Sequence, residues 1–243
     1  MVLAIQAVMC FGFQFAQNYK SGEGNRLNVK LVQSGYKQRS STLFVVAGSL
    51  MLVNVVFLWI RLVSDFQLSI LWAAIPAMIA LATSIIGLFT LYPLIALETP
   101  WLARSGAGSA LVAGVALCMA ALWILGATLF GSGLSDPLAA GLMACIGVFI
   151  VAMVSAFICY AIAFLTASAS GKLGFLLAVP VVSWGVILVV GMIKGLQVGL
   201  SLDYYTNAFI AAAFLAIGIL LRRPPGKGQT GAENKRPASG QGS

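Results

Sequence analysis

Residues 68–97 read LSILWAAIPAMIALATSIIGLFTLYPLIAL, 30 residues without one charged side chain. About 20 apolar residues suffice for a helix to cross a bilayer, so this run predicts a transmembrane helix that tilts, kinks or projects beyond the lipid. Pro76 and Pro93 are the expected kink positions, because proline removes a backbone donor and crowds the preceding turn. The run leads into residues 92–106, YPLIALETPWLARSG, where Glu98 sits between Pro93 and Pro100 and Arg104 follows. That stretch predicts a sharp turn between two membrane helices.

The rest of the chain agrees in composition. It is 60% hydrophobic and 8% charged, with mean hydropathy +1.01, against roughly 25% charged residues in soluble domains. Cys10, Cys118, Cys145 and Cys159 all fall within apolar runs, where they act as small hydrophobes and not as a disulfide framework. There is no histidine, which excludes His-ligated haem, imidazole metal sites and a histidine general base.

Working outward from the central run, apolar segments recur at residues 2–16, 43–60, 107–130, 138–165, 173–193 and 204–221. With 68–97 they predict an all-α integral membrane protein, a bundle of about seven transmembrane helices occupying residues 1–221. In lipid only helices or closed barrels satisfy the backbone, and these runs are too long and too uniformly apolar for barrel strands. Segment 2–16 is the shortest; no basic residue precedes it and no small-residue cleavage site follows, so it reads as a short first helix and not as a signal peptide. Residues 17–42 read as a polar loop in which Leu27, Val29 and Leu31 alternate with Asn28 and Lys30, a period suited to a short strand or a surface-adsorbed segment. Residues 222–243, RRPPGKGQTGAENKRPASGQGS, lack the apolar content to offset ordering entropy and read as a disordered basic tail.

Charge placement orients such a bundle. With seven spans, Lys20, Arg26, Lys30, Lys37, Arg39, Arg104, Lys172, Arg222, Arg223, Lys227, Lys235 and Arg236 fall on one side, and only Arg61 and Lys194 on the other. Basic loops stay in the cytoplasm, so the expected orientation has the N-terminus outside and the C-terminus cytoplasmic. The same placement accounts for the net charge of +8 without nucleic acid as a partner. Asp65, Asp136 and Asp203 fall on the outer side, where they read as solvated loop acids.

Chemistry-bearing residues are few. No acid or base falls centrally in any apolar run, so a retinal-type lysine and a voltage-sensing arginine series are both excluded. Glu98 is the candidate ion or proton site, against the plainer reading of a headgroup-level carboxylate beside Arg104. Asn54, Thr83, Ser84, Thr90, Tyr92, Ser155, Tyr160 and Ser183 are candidate linings of a solute cavity, although interhelical hydrogen bonding explains them equally. No nucleophile stands with a base, so no catalytic residues, cofactor or metal site are expected. Residues 92–106 and 160–171 each start at a tyrosine and reach a Ser-Gly pair before the next span, a possible parallel repeat.

Small residues mark faces for close helix packing: Gly106, Ala110 and Gly114 in one span, and Ala140, Ala144, Gly147, Ala152 and Ala156 in another. They favour a non-catalytic component of a larger membrane complex, with lipid and partner membrane proteins as neighbours. The alternative is a small permease or channel for a neutral or weakly polar solute. The low charge and the richness in Ala, Gly, Leu and Val suggest a bacterial inner membrane.

Overall fold

The computed structural model of the chain describes residues 26–64, 71–129, 136–167, 171–194 and 196–222. They form six helices: α1 (Arg26–Val63), α2 (Leu71–Ile95), α3 (Pro100–Leu129), α4 (Asp136–Thr166), α5 (Gly171–Lys194) and α6 (Leu196–Arg222). Each is long and apolar enough to cross a membrane, and there is no strand among the described residues. The expected first helix at 2–16 and the tail from 223 lie outside the described residues.

The stretch read as a polar loop departs most from expectation. Helix α1 starts at Arg26 and runs unbroken for 38 residues, so Leu27, Val29 and Leu31 lie on a helix and not on a strand. At 1.5 Å per residue it is about 57 Å long, well beyond the roughly 30 Å of hydrocarbon. Nothing between Arg26 and Thr42 stops a helix: there is no proline and a single glycine, Gly35, and lysine and arginine are good helix formers. Charge ends a membrane span without ending the helix that carries it.

The other departure is at Asp203, read as a loop acid. Helix α6 starts at Leu196 and takes in the whole of the segment from Leu202 to Asn207, so Asp203 lies within a membrane-spanning helix. Between α2 and α3 the sequence is more transparent. Helix α2 stops at Ile95, the amides of Glu98 and Thr99 donate back to the Ile95 carbonyl at 3.2 and 2.9 Å, and Ala103 N–H donates to the Thr99 carbonyl at 3.0 Å. Thr99 is thus the residue before the first turn, and Pro100 occupies the first helical position, where its missing N–H leaves no bond unmade.

The helices close into a ring. Each packs on the next in sequence, α1 packs on α6, and α2 also approaches α4 across the middle. Contacts of small residues fix the register: Gly48 lies against Ala211 and Leu215, and Gly218 against Ser41 and Val45, so α1 and α6 run antiparallel. Phe44 lies on Gly87 and Ser40 bonds Thr90, which makes α1 and α2 antiparallel too. Arg39, Arg104, Lys172 and Arg222 therefore gather at one end, the basic end.

Lipid is as apolar as leucine, so packing and not the hydrophobic effect holds such helices together. A chain of rings fills the interior. Phe44 of α1 meets Phe214 of α6 edge-on at 5.8 Å, Phe214 stacks on Phe157 of α4 at 5.9 Å, and Phe157 meets Trp184 of α5 at 6.2 Å. The backbones of α4 and α6 do not touch, so the Phe157–Phe214 pair bridges the middle of the ring. Aromatic pairs of this kind contribute about 0.5–1.5 kcal/mol each beyond their buried area.

Packing is uneven along the bundle. From Phe149 toward the basic end α4 buries a continuous stripe through Ala152, Met153, Ala156, Phe157, Tyr160 and Phe164. From Ala140 to Val148, the half of α4 nearer the far end, no side chain is buried, and Met143 is 68% exposed.

Candidate functional site

Most of the polar residues singled out by sequence are satisfied by their own helices. Thr83 donates to the Ile79 carbonyl at 2.7 Å, buried Ser84 to Leu81 at 2.8 Å, and Ser155 to Val151 at 2.8 Å. Thr90 donates to the Gly87 carbonyl and accepts from Ser40, both at 2.7 Å, which ties α2 to α1. Asn54 is buried, its amide nitrogen 3.9 Å from the Met51 sulfur, and Ser183 is also buried. Asn54 lies ten residues beyond Phe44 on α1, about 15 Å further from the basic end. The set therefore does not converge on one chamber.

Two members share one core. Tyr160 is fully buried there, and Tyr92 of α2 packs against that core. Gly106 of α3 lies against the same ring, where a Cβ would stand 2.9 Å from Tyr160 Cε2. The Gly106 end of the 92–106 stretch thus closes on a tyrosine of α4. The Tyr160 hydroxyl has no hydrogen-bond partner among the described residues. A buried donor left so costs about 1–3 kcal/mol. The suggested repeat does not extend to structure: Ser105 and Gly106 lie inside α3, whereas Gly171 begins α5.

Glu98 is exposed in the α2–α3 turn, beside Leu97 at 57% and Trp101 at 77% exposure. Arg104 is exposed as well, and no ion pair joins the two among the described residues.

Comparison with protein-family models, with curated proteins and with solved structures gives no match. The arrangement of the chain's own residues therefore carries the functional argument.

The small residues divide into two groups. Gly106 and Ala110 are buried, and a Cβ on Gly114 would stand 3.7 Å from Ile85 Cγ2 of α2, so the α3 stripe is used within the chain. Ala152 and Ala156 are buried too. Ala140, Ala144 and Gly147 are exposed, and no atom of a neighbouring helix lies within 4 Å of where a Gly147 Cβ would stand. These three and Val151, 68% exposed, recur at helical spacing on one face of α4.

Sequence reading passed over the residues that join the first helix to the last. Ser41 Oγ donates to the Gly218 carbonyl at 2.7 Å, across 177 positions of sequence. The available signal was a seven-residue spacing of small side chains, Ser41 with Gly48 and Ala211 with Gly218, two helical turns that keep both on one face. Asp203, Thr206 and Asn207 of α6 were also missed. Asn207 Nδ2 donates to Asp203 Oδ1 at 2.9 Å, and the Thr206 hydroxyl donates to the Leu202 and Asp203 carbonyls at 3.2 and 3.0 Å.

Proposed function

We propose that this chain is a non-catalytic component of a larger membrane complex and receives a partner's transmembrane helix on the far half of α4. The observation that carries this reading is the exposed Ala140–Ala144–Gly147 stripe. Small residues at this spacing let helix backbones approach closely, which is how helices associate where no hydrophobic driving force exists. Elsewhere the bundle uses such stripes internally; here none of the described helices covers one. The filled interior fits a structural component better than a conduit, since the ring chain from Phe44 to Trp184 occupies the middle.

We place the basic end in the cytoplasm, on the positive-inside rule, in a bacterial inner membrane. The experiment is isolation in mild detergent. The complex should come out with a stoichiometric partner, and Gly147→Leu should release the chain from it; a lone monodisperse species with the wild-type sequence would overturn the reading.

A second reading, a permease for a neutral solute, draws on buried Asn54, Ser84 and Ser183. It requires that the chain reconstituted alone move solute, with flux lowered by Asn54→Leu or Thr83→Val.

A further inference from the structure

The α1–α6 seam runs out at the basic end between two cations. Its register is fixed along its length: Gly48 lies against Ala211 and Leu215, Val45 against Gly218, and Ser41 Oγ donates to the Gly218 carbonyl at 2.7 Å. The two backbones thus stay together over about 10 Å of α1. Lys37 is one turn before Ser41, and Arg222 is one turn after Gly218. Residues four apart share a helix face, so the antiparallel pairing that sets Ser41 against Gly218 also sets Lys37 against Arg222 across the seam.

Both residues are helical, Lys37 half-buried and Arg222 exposed. Neither has an ion pair among the described residues, and Glu98, the one acid described at this end, lies in the α2–α3 turn. Like charges that face each other across touching helices repel, and more strongly at the lipid boundary than in bulk water, because the effective dielectric constant is lower there. An anion between them turns that repulsion into attraction on both sides. Phosphate suits the pair: arginine meets its oxygens with two parallel N–H donors, and lysine as a point charge.

Depth and surroundings select the source of the phosphate. Arg222 ends the α6 span, which puts the pair at headgroup level. Beneath it, on the outer flank of the seam, Val46 and Ile219 are 42% and 54% exposed, next in sequence to Val45 and Gly218. They offer an apolar track to acyl chains joined to the phosphate, which a free ion would leave unused. Basic clefts between membrane helices bind anionic headgroups on the cytoplasmic side.

We propose that Lys37 and Arg222 form a site, at the basic end of the α1–α6 seam, for the phosphate of an anionic phospholipid. A lipid held there clamps α1 to α6 where the ring closes. The site stands apart from the far half of α4 and does not rest on the partner reading.

The test uses the purified full chain in neutral detergent, its thermal unfolding followed with added phosphatidylglycerol or with phosphatidylcholine of the same acyl chains, whose own cation cancels the phosphate charge. A ligand held by the folded state alone raises Tm, here by about 4 °C for phosphatidylglycerol over phosphatidylcholine at ten times its dissociation constant. Lys37→Gln and Arg222→Gln should each remove most of that difference without lowering Tm in phosphatidylcholine, since each relieves the repulsion. Arg104→Gln, an exposed cation at the same end but on α3, should keep it, and inorganic phosphate should not reproduce it. Equal Tm with the two lipids, a loss in Arg104→Gln as large as in Arg222→Gln, or the same rise with inorganic phosphate would each overturn the proposal. Should either seam variant fail to fold, native mass spectrometry of the wild-type chain with phosphatidylglycerol decides: one retained lipid per chain is expected, and none would overturn it.

Discussion

Gly218 in the α1–α6 seam and Gly147 on the far half of α4 are both membrane-helix glycines, but their surroundings are opposite. A Cβ on Gly218 would stand 2.5 Å from Val45 Cγ2 and 2.9 Å from the Ser41 carbonyl, whereas one on Gly147 would meet nothing within 4 Å. Gly48 and Gly174 resemble Gly218: a Cβ on either would stand within 3.0 Å of a facing backbone atom. In the seam the missing side chain lets two helices of the same chain touch backbone to backbone and closes the ring. On α4 the same permissiveness is left unused by the described helices. Small residues in a membrane helix thus mark where a helix fits, and only the neighbours tell whether that helix is internal.

Substitutions separate the two regions by size of effect. Gly218→Leu forces the seam apart and should lower stability by at least about 3 kcal/mol, the upper range for overpacking, read as loss of folded protein in denaturant titration of mixed micelles. Tyr160→Phe should act in the opposite direction: it removes a buried hydroxyl without a partner and should raise stability by about 1 kcal/mol in the same titration. Ser41→Ala removes the bond to the Gly218 carbonyl but leaves that carbonyl its helical amide, so the loss should be only about 0.6 kcal/mol. Gly147→Leu should change the isolated chain's stability by no more than about 0.5 kcal/mol. An equal loss for Gly147→Leu and Gly218→Leu would erase the distinction between the two faces.

The spans from 68–97 onward were legible because apolar length alone specifies a membrane helix, and Pro100 announced the start of α3 through its missing N–H. The start of α1 was not legible, because basic residues mark where a span leaves lipid, whereas lysine and arginine readily continue the helix itself. Asp203 was misread for a related reason. Lys194, Gln197, Ser201 and Asp203 interrupt the apolar run enough to resemble a loop, yet none of them breaks a helix. The candidate site was harder still. Thr83, Ser84 and Ser155 bond to carbonyls three or four residues back, which any helix offers and no sequence pattern distinguishes from a cavity lining. The Ser41–Gly218 bond joins residues 177 positions apart, and only the closed ring brings them together.

The account stands most directly on what covers the far half of α4. Isolation of wild type and Gly147→Leu side by side in mild detergent, with mass and stoichiometry measured for each, tests it. The account predicts a stoichiometric complex for wild type and a lone chain of unchanged thermal stability for the variant. A wild-type chain that isolates alone, or a variant that keeps its partner in full, would contradict it.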